Sequence, residues 1–220
     1  MTAIASRNLP LEEQVLLREL NHRINNEFAS LVSLVTLAAA RSGNNDVKLA
    51  LRHVTDLIHN CADVHHALQM PEDDACAVDA AAYLRKLCLS IKRSKLDRTK
   101  IGLVLSARPM SLRSDQCWLL GMIVHELVCN AVRHAFSAGQ GEIRIVLSLK
   151  GTLIECKVLD NGTAPVIKRP GRGLKIIDVL AKRLNGRFAQ QFSKQGSTSN
   201  LVFPRNSGPQ RAFHLALHAS

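Results

Sequence analysis

The chain has 220 residues, 46% hydrophobic and 21% charged, ordinary globular proportions that exclude a disordered or fibrous protein. Lys and Arg exceed Asp and Glu by 29 − 18, a formal charge of +11, so anionic partners are favoured: nucleic acid, nucleotide phosphates or the acidic site of another protein. The opening MTAIASRNLP lacks a signal-peptide core, and the apolar runs LVSLVTLAAA and CWLLGMIV are too short to span a bilayer, so a cytoplasmic protein without a membrane partner is expected.

From Leu11 to Arg41, residues Leu16, Leu17, Leu20, Ile24, Phe28, Leu31, Leu34, Val35 and Ala38 recur every three or four positions, which predicts one long one-faced helix. SGNND supplies a turn with Asp46 as the expected cap. A second helix then runs through Leu51, Val54, Ile58, Cys61, His65 and Leu68 to Met70. This antiparallel hairpin over residues 11–70 has little material to cover its apolar stripe, so two copies should complete a four-helix bundle, a homodimer. Pro71 in PEDDACAVD marks the boundary.

Residues 76–205 read as a helix from Val78 to Leu96, strand IGLVLSA and a helix from Ser114 to Phe136, followed by strands EIRIVLSL and TLIECKVL around a Lys150-Gly151 turn. GLKIIDVLAKRLNG forms a further helix with Gly186 ending it, and RFAQQF and SNLVFP form two closing strands. The fold class is α+β: a helical hairpin followed by a two-layer α/β sandwich, helices on one face of a mixed sheet. The tail, 206–220, has no strong period and is left unassigned. Cysteines 61, 76, 88, 117, 129 and 156 form no CxxC pair and lie mostly in apolar segments, as buried reduced thiols do.

Four constellations carry chemistry. In ELNHRINNEF, Glu19, His22 and Asn26 fall on one helix face; neutral imidazole is nucleophilic near its reference pKa of about 6.5, and Glu19 beside it can orient it or take its proton. In HELVCNAVRHAF, Glu126, Asn130 and His134 recur every four residues along an otherwise apolar helix, where polar groups need a polar partner. The amide oxygen of Asn130 can complete a Mg²⁺ shell, Glu126 can orient a metal-bound water, and Arg133 and His134 can reach phosphate oxygens. VLDNG ends a strand in Asp160, an acceptor for the adenine amine, with Gly162 behind it. GRGLKII opens a helix with Gly171, Gly173 and Leu174, where backbone N–H groups can approach phosphate. QGSTSNLVFP places Gly196 and Ser197 where a hydroxyl can border the base.

In order and spacing these segments resemble one family over residues 11 to 204: histidine kinases with a phosphoacceptor box like His-Arg-x-Lys-Asn-Asn, joined to an ATPase domain of the gyrase, Hsp90, kinase and MutL type. The resemblance implies His22 as phosphoacceptor, Asn130 as the magnesium-binding Asn, Asp160 as the adenine-reading Asp, and Gly162, Gly171 and Gly173 as the glycine boxes, with Ser197 at the last small hydroxyl position. It further implies ATP and Mg as cofactors, a homodimer, and a response regulator receiver domain whose aspartate takes the phosphoryl group. With no recognisable sensor segment before the hairpin, the stimulus is expected to arrive through a separate sensor protein, through the short tail, or not at all.

The departures are local. Asn25 stands where the family has Lys, Glu27 where it has Asn, and Ala164 where the first glycine box has its second glycine. The lid between Gly162 and Gly171 is short, and Lys168, Arg169 and Arg172 would bring cations to the phosphates. A lid unable to close would leave a histidine phosphotransferase that relays phosphoryl groups between receiver domains. Nucleic-acid binding, suggested by KLCLSIKRSKLDRTK, is disfavoured by an aromatic content of 4% and the lack of a stacking motif. A zinc site among His53, Asp56, His59, Cys61, His65 and His66 matches no standard ligand spacing.

Overall fold

A computed structural model describes residues 11–69, 77–97, 99–136, 139–163 and 172–205. The chain divides between Gln69 and Met70 into two compact units.

The first unit is a hairpin of α1 (Leu11–Arg41) and α2 (Asn45–Ala67). Its turn is closed by Asn44, whose extended backbone lets Oδ1 accept the N–H groups of Asp46 at 2.8 Å and Val47 at 3.4 Å. The expected cap, Asp46, instead lies in the first turn of α2, where a carboxylate complements the helix dipole. Ile24, Phe28, Val32, Val35 and Ala39 recur on one side of α1 and are half-buried, and the Phe28 ring lies 5.9 Å from the His65 ring of α2. Leu16, Leu20, Leu31 and Leu34 line a different stripe of α1 and are 46–68% exposed, so the hairpin carries apolar surface that it cannot bury by itself. Cys61 is exposed on α2, a departure from the expectation that the cysteines are core residues.

The second unit holds five strands in the order β2-β4-β5-β7-β6. They are β2 (Lys100–Ala107), β4 (Gln140–Lys150), β5 (Leu153–Asp160), β6 (Arg187–Ser193) and β7 (Gly196–Pro204). β2 pairs parallel with β4, and the other neighbours are antiparallel. Alternation fixes the buried face: Ile143, Ile145 and Leu147 of β4, Ile154, Cys156 and Val158 of β5, and Leu201 and Phe203 of β7 are all at most 4% exposed. Against that face lie α3 (Ala80–Ile91), α4 (Ser114–His134) and α5 (Arg172–Arg183), giving the two-layer sandwich.

Three features lie beyond the pattern reading. Strand β1 (Ala77–Asp79), which pairs with β3 (Ser111–Arg113) in a short ribbon, precedes α3, so that helix starts two residues later than expected. Asp79 makes the junction: its Oδ1 accepts from Ala81 N at 2.9 Å, capping α3, and from Met110 N at 3.3 Å, fixing the approach to β3. Helix α3 continues into a π-helical turn, Lys92–Leu96, whose Leu96 is buried. At the end of α5 the left-handed residue is Asn185, with φ 52, rather than Gly186. Gly186 serves close packing instead, since a methyl there would sit 2.8 Å from the Val202 carbonyl oxygen.

Candidate functional site

On α1, Glu19, His22 and Asn26 share one exposed face. The Glu19 carboxylate accepts from Arg23 Nε at 2.8 Å, an i,i+4 ion pair, so it is engaged away from His22. Asn25, the residue that replaces the family's Lys, accepts from Gln69 Nε2 at 3.3 Å, and Gln69 Oε1 in turn lies 2.9 Å from His66 Nδ1. The residue beside His22 therefore helps tie α1 to the end of α2. Among the described residues no three His, Cys, Asp or Glu side chains gather as a metal site, so the α2 histidines do not converge.

The second constellation is built around the C-terminal half of α4. Glu126 and Asn130 are half-buried; Arg133 and His134 are exposed. Against the first two sits Gly173, in the first turn of α5: a methyl on it would lie 2.2 Å from Glu126 Oε1 and 3.2 Å from Asn130 Nδ2. The start of α5 thus lies directly against these two side chains, with half-buried Leu174 following Gly173. One amide, one carboxylate and a backbone cradle form the sparse donor set that suits Mg²⁺ held mainly through phosphates, so these residues fit that ion.

Asp160 ends β5 directly opposite Ser197, the second residue of β7, so both side chains stand on the same face of the sheet. The Asp160 carboxylate accepts three hydrogen bonds: from Gly162 N at 3.1 Å and Ser197 N at 3.3 Å to Oδ1, and a short one from Ser197 Oγ to Oδ2. Gly196, with φ +124, makes this possible, because a methyl there would fall 1.8 Å from the Asp160 carbonyl oxygen. Gly162 is buried on the end of α4, where a methyl would meet the Ala135 carbonyl oxygen at 2.2 Å. Helix α4 thus joins the two halves of the site: Gly173 packs on its Glu126 and Asn130, and Gly162 packs on its last turn. Lys168 and Gly171, with Ala164 and the Arg172 side chain, lie outside the described residues.

Two residues near this site escaped the sequence reading. Asn161 was visible only as the middle of DNG. His125, next to Glu126, lies 3.4 Å from Cys129 Sγ, and burial, with the charges of Lys95 and Arg133, holds its pKa down at about 4. The folded chain keeps this imidazole neutral while the unfolded chain protonates it near 6.5. Its contribution is therefore complete above about pH 6.5 and is lost as pH falls toward 4, on the order of 3 kcal/mol in all. Denaturant unfolding at pH 7.5 and 4.5 should show this loss, and His125→Gln should have the shallower pH dependence; parallel curves would refute it.

A family model described as histidine kinase matches residues 19–95, and one described as histidine kinase-like ATPase domain matches residues 98–198. The sensor histidine kinase PdtaS of Mycolicibacterium smegmatis is 29% identical over 196 residues, covering 86% of this chain and 39% of that protein. Blue-light-activated histidine kinase 1 of Erythrobacter litoralis is 23% identical over 209 residues, covering 91% of this chain and 56% of that protein. Among solved structures, the histidine kinase domain of the Erythrobacter litoralis EL346 blue-light activated histidine kinase has the same fold, with a TM-score of 0.59 and 18% identity over 82% of this chain and 97% of that one. Fold, motif order and domain matches define a helical hairpin followed by a histidine kinase-like ATPase domain. The chain belongs to the histidine kinase family and forms its transmitter core. It spans about two fifths, 39%, of the length of the mycobacterial relatives it matches. Among the described residues no helix is long and apolar enough to cross a membrane.

Proposed function

We propose that this chain is an ATP-dependent protein-histidine kinase of a two-component system, which phosphorylates its own His22 and passes the phosphoryl group to an aspartate on a response regulator. The observation that carries this reading is the Asp160 carboxylate, held by Gly162 and Ser197 with acceptor capacity left for an exocyclic amine, on the same helix-anchored cradle as Asn130.

In this reading Asp160 and Ser197 bind adenine, Gly162 and Gly173 let backbone approach the nucleotide, and Asn130 would hold Mg²⁺, with Glu126 orienting a metal-bound water; the ion would neutralise charge on the phosphates. Arg133, His134, Lys168 and Arg172 supply further cations or hydrogen-bond donors, and Gly171 and Leu174 shape the lid end. An imidazole nitrogen of His22 attacks the γ-phosphorus in line, the bond to the β,γ-bridging oxygen breaks, and ADP leaves. With Glu19 taken by Arg23, proton removal from His22 requires that ion pair to open, which costs little at an exposed i,i+4 site. Asn26 lies one turn on along α1, on the same exposed face as His22.

The working unit is a homodimer, its two hairpins joined through the exposed Leu16, Leu20, Leu31 and Leu34 stripe. A cytoplasmic setting fits both the ATP requirement and the free thiols of Cys88, Cys117, Cys129 and Cys156.

Incubating the purified chain with γ-labelled Mg-ATP should give an acid-labile, base-stable label on the protein, which moves to a receiver domain on addition. A folded chain that takes no label from ATP yet accepts one from a phosphorylated receiver would be a phosphotransferase instead.

A further inference from the structure

The turn Asp160–Asn161–Gly162 carries one side chain with no part in the scheme above. The Asn161 Oδ1 accepts the Glu142 N–H at 2.7 Å, and the Asn161 N–H donates to the Glu142 carbonyl at 3.2 Å. Asn161 therefore holds both backbone groups of one β4 residue, just past the point where the regular β4–β5 register ends at Ile143 and Asp160. Its neighbours leave this grip little play. Gly141 has φ +152, and a methyl on it would meet the Phe136 ring at 2.3 Å and Asn161 Oδ1 at 2.7 Å. On the other side of the turn, Gly162 rests on the Ala135 carbonyl at the end of α4.

We propose that Asn161 is a positioning residue for base selectivity: its two-point grip on Glu142 clamps the turn so that the Asp160 carboxylate presents one defined edge to the base. The inference rests on the adenine role proposed for Asp160. The physical ground is lever length. Asp160 is the last paired residue of β5, so the direction of its carboxylate follows the peptide that leaves the strand, and Asn161 fixes that peptide. A carboxylate held in place accepts from the adenine amine and repels the carbonyl oxygen that guanine carries at the same position. Once free to swing, it loses part of the first interaction and relieves part of the second, so the preference for ATP over GTP shrinks.

The test measures dissociation constants of Mg-ATP and Mg-GTP by titration calorimetry for the whole chain and its variants. Asn161→Ala should reduce the ATP/GTP preference about three- to tenfold, the scale of one net hydrogen bond. Asn161→Asp, which keeps an acceptor oxygen for the Glu142 N–H, should restore most of it. Because a ratio of affinities does not depend on the folded fraction, general destabilisation leaves it unchanged. If the alanine variant is insoluble, Asn161→Ser, with a shorter and misplaced acceptor, gives the same reading. An unchanged ratio in a folded variant overturns the clamp. A wild-type chain with no preference for ATP overturns the adenine role of Asp160 itself, and Asp160→Asn with undiminished ATP affinity does the same.

Discussion

His22→Ala should abolish the acid-labile label from γ-labelled ATP while leaving the dissociation constant for Mg-ATP within about twofold of wild type, the scatter expected of an exposed helix substitution. The asymmetry follows from where the residue sits. His22 is exposed on α1, so its removal opens no cavity, and alanine is the better helix former. The residues proposed to bind nucleotide belong to the second compact unit. A chemical role at His22 thus separates cleanly from binding. Label persisting at wild-type level in a folded His22→Ala chain would move the phosphoacceptor elsewhere on the hairpin, with His59 and His66 of α2 as the next exposed imidazoles to replace. Loss of label together with loss of ATP binding would show that the substitution had damaged the fold instead.

Asp160→Asn should weaken Mg-ATP binding about 10- to 100-fold, the cost of exchanging a charged hydrogen-bond acceptor for a donor. The carboxylate accepts from Gly162 N, Ser197 N and Ser197 Oγ, and only an acceptor on both of its oxygens can meet all of these and an adenine amine as well. An amide has a single acceptor oxygen. With that oxygen on the two backbone N–H groups, its NH₂ faces Ser197 and the base, so donor meets donor at the amine. Stability should change less than affinity, because Ser197 Oγ can rotate to accept from the new NH₂. Calorimetry beside thermal unfolding checks both halves. A variant that binds ATP as tightly as wild type would remove Asp160 from base recognition.

Both predictions draw on residues that local pattern reading had singled out. Glu19, His22 and Asn26 stand on one face because three- and four-residue steps are short enough for the helix period to settle. Asp160 and Ser197 are 37 positions apart, yet each was recognisable from its own segment: an acid and a glycine closing a strand, a small hydroxyl opening one. What could not be read was that they are bonded to each other, because this depends on the β5–β7 register, which pairs Asp160 with Ser197. The β1–β3 ribbon was missed for a related reason. Three-residue strands are too short to show a period of two, and Asp79 reads equally well as a helix cap, which it also is.

By itself, then, the sequence determined the helices, the strand alternation, the turn chemistry and the order of the motifs, all of which arise from side chains a few residues apart responding to the same local geometry. The family followed from that order. Tertiary structure decided which donor each acceptor received. Ser197 came to Asp160 across 37 positions, and Asn161 turned to the Glu142 backbone across 19. It also decided why particular positions are glycine: Gly162 and Gly196 each lie where another segment's backbone occupies the place of a Cβ. Such choices are competitions among partners brought together by packing, settled by contact distances that no stretch of a few residues contains.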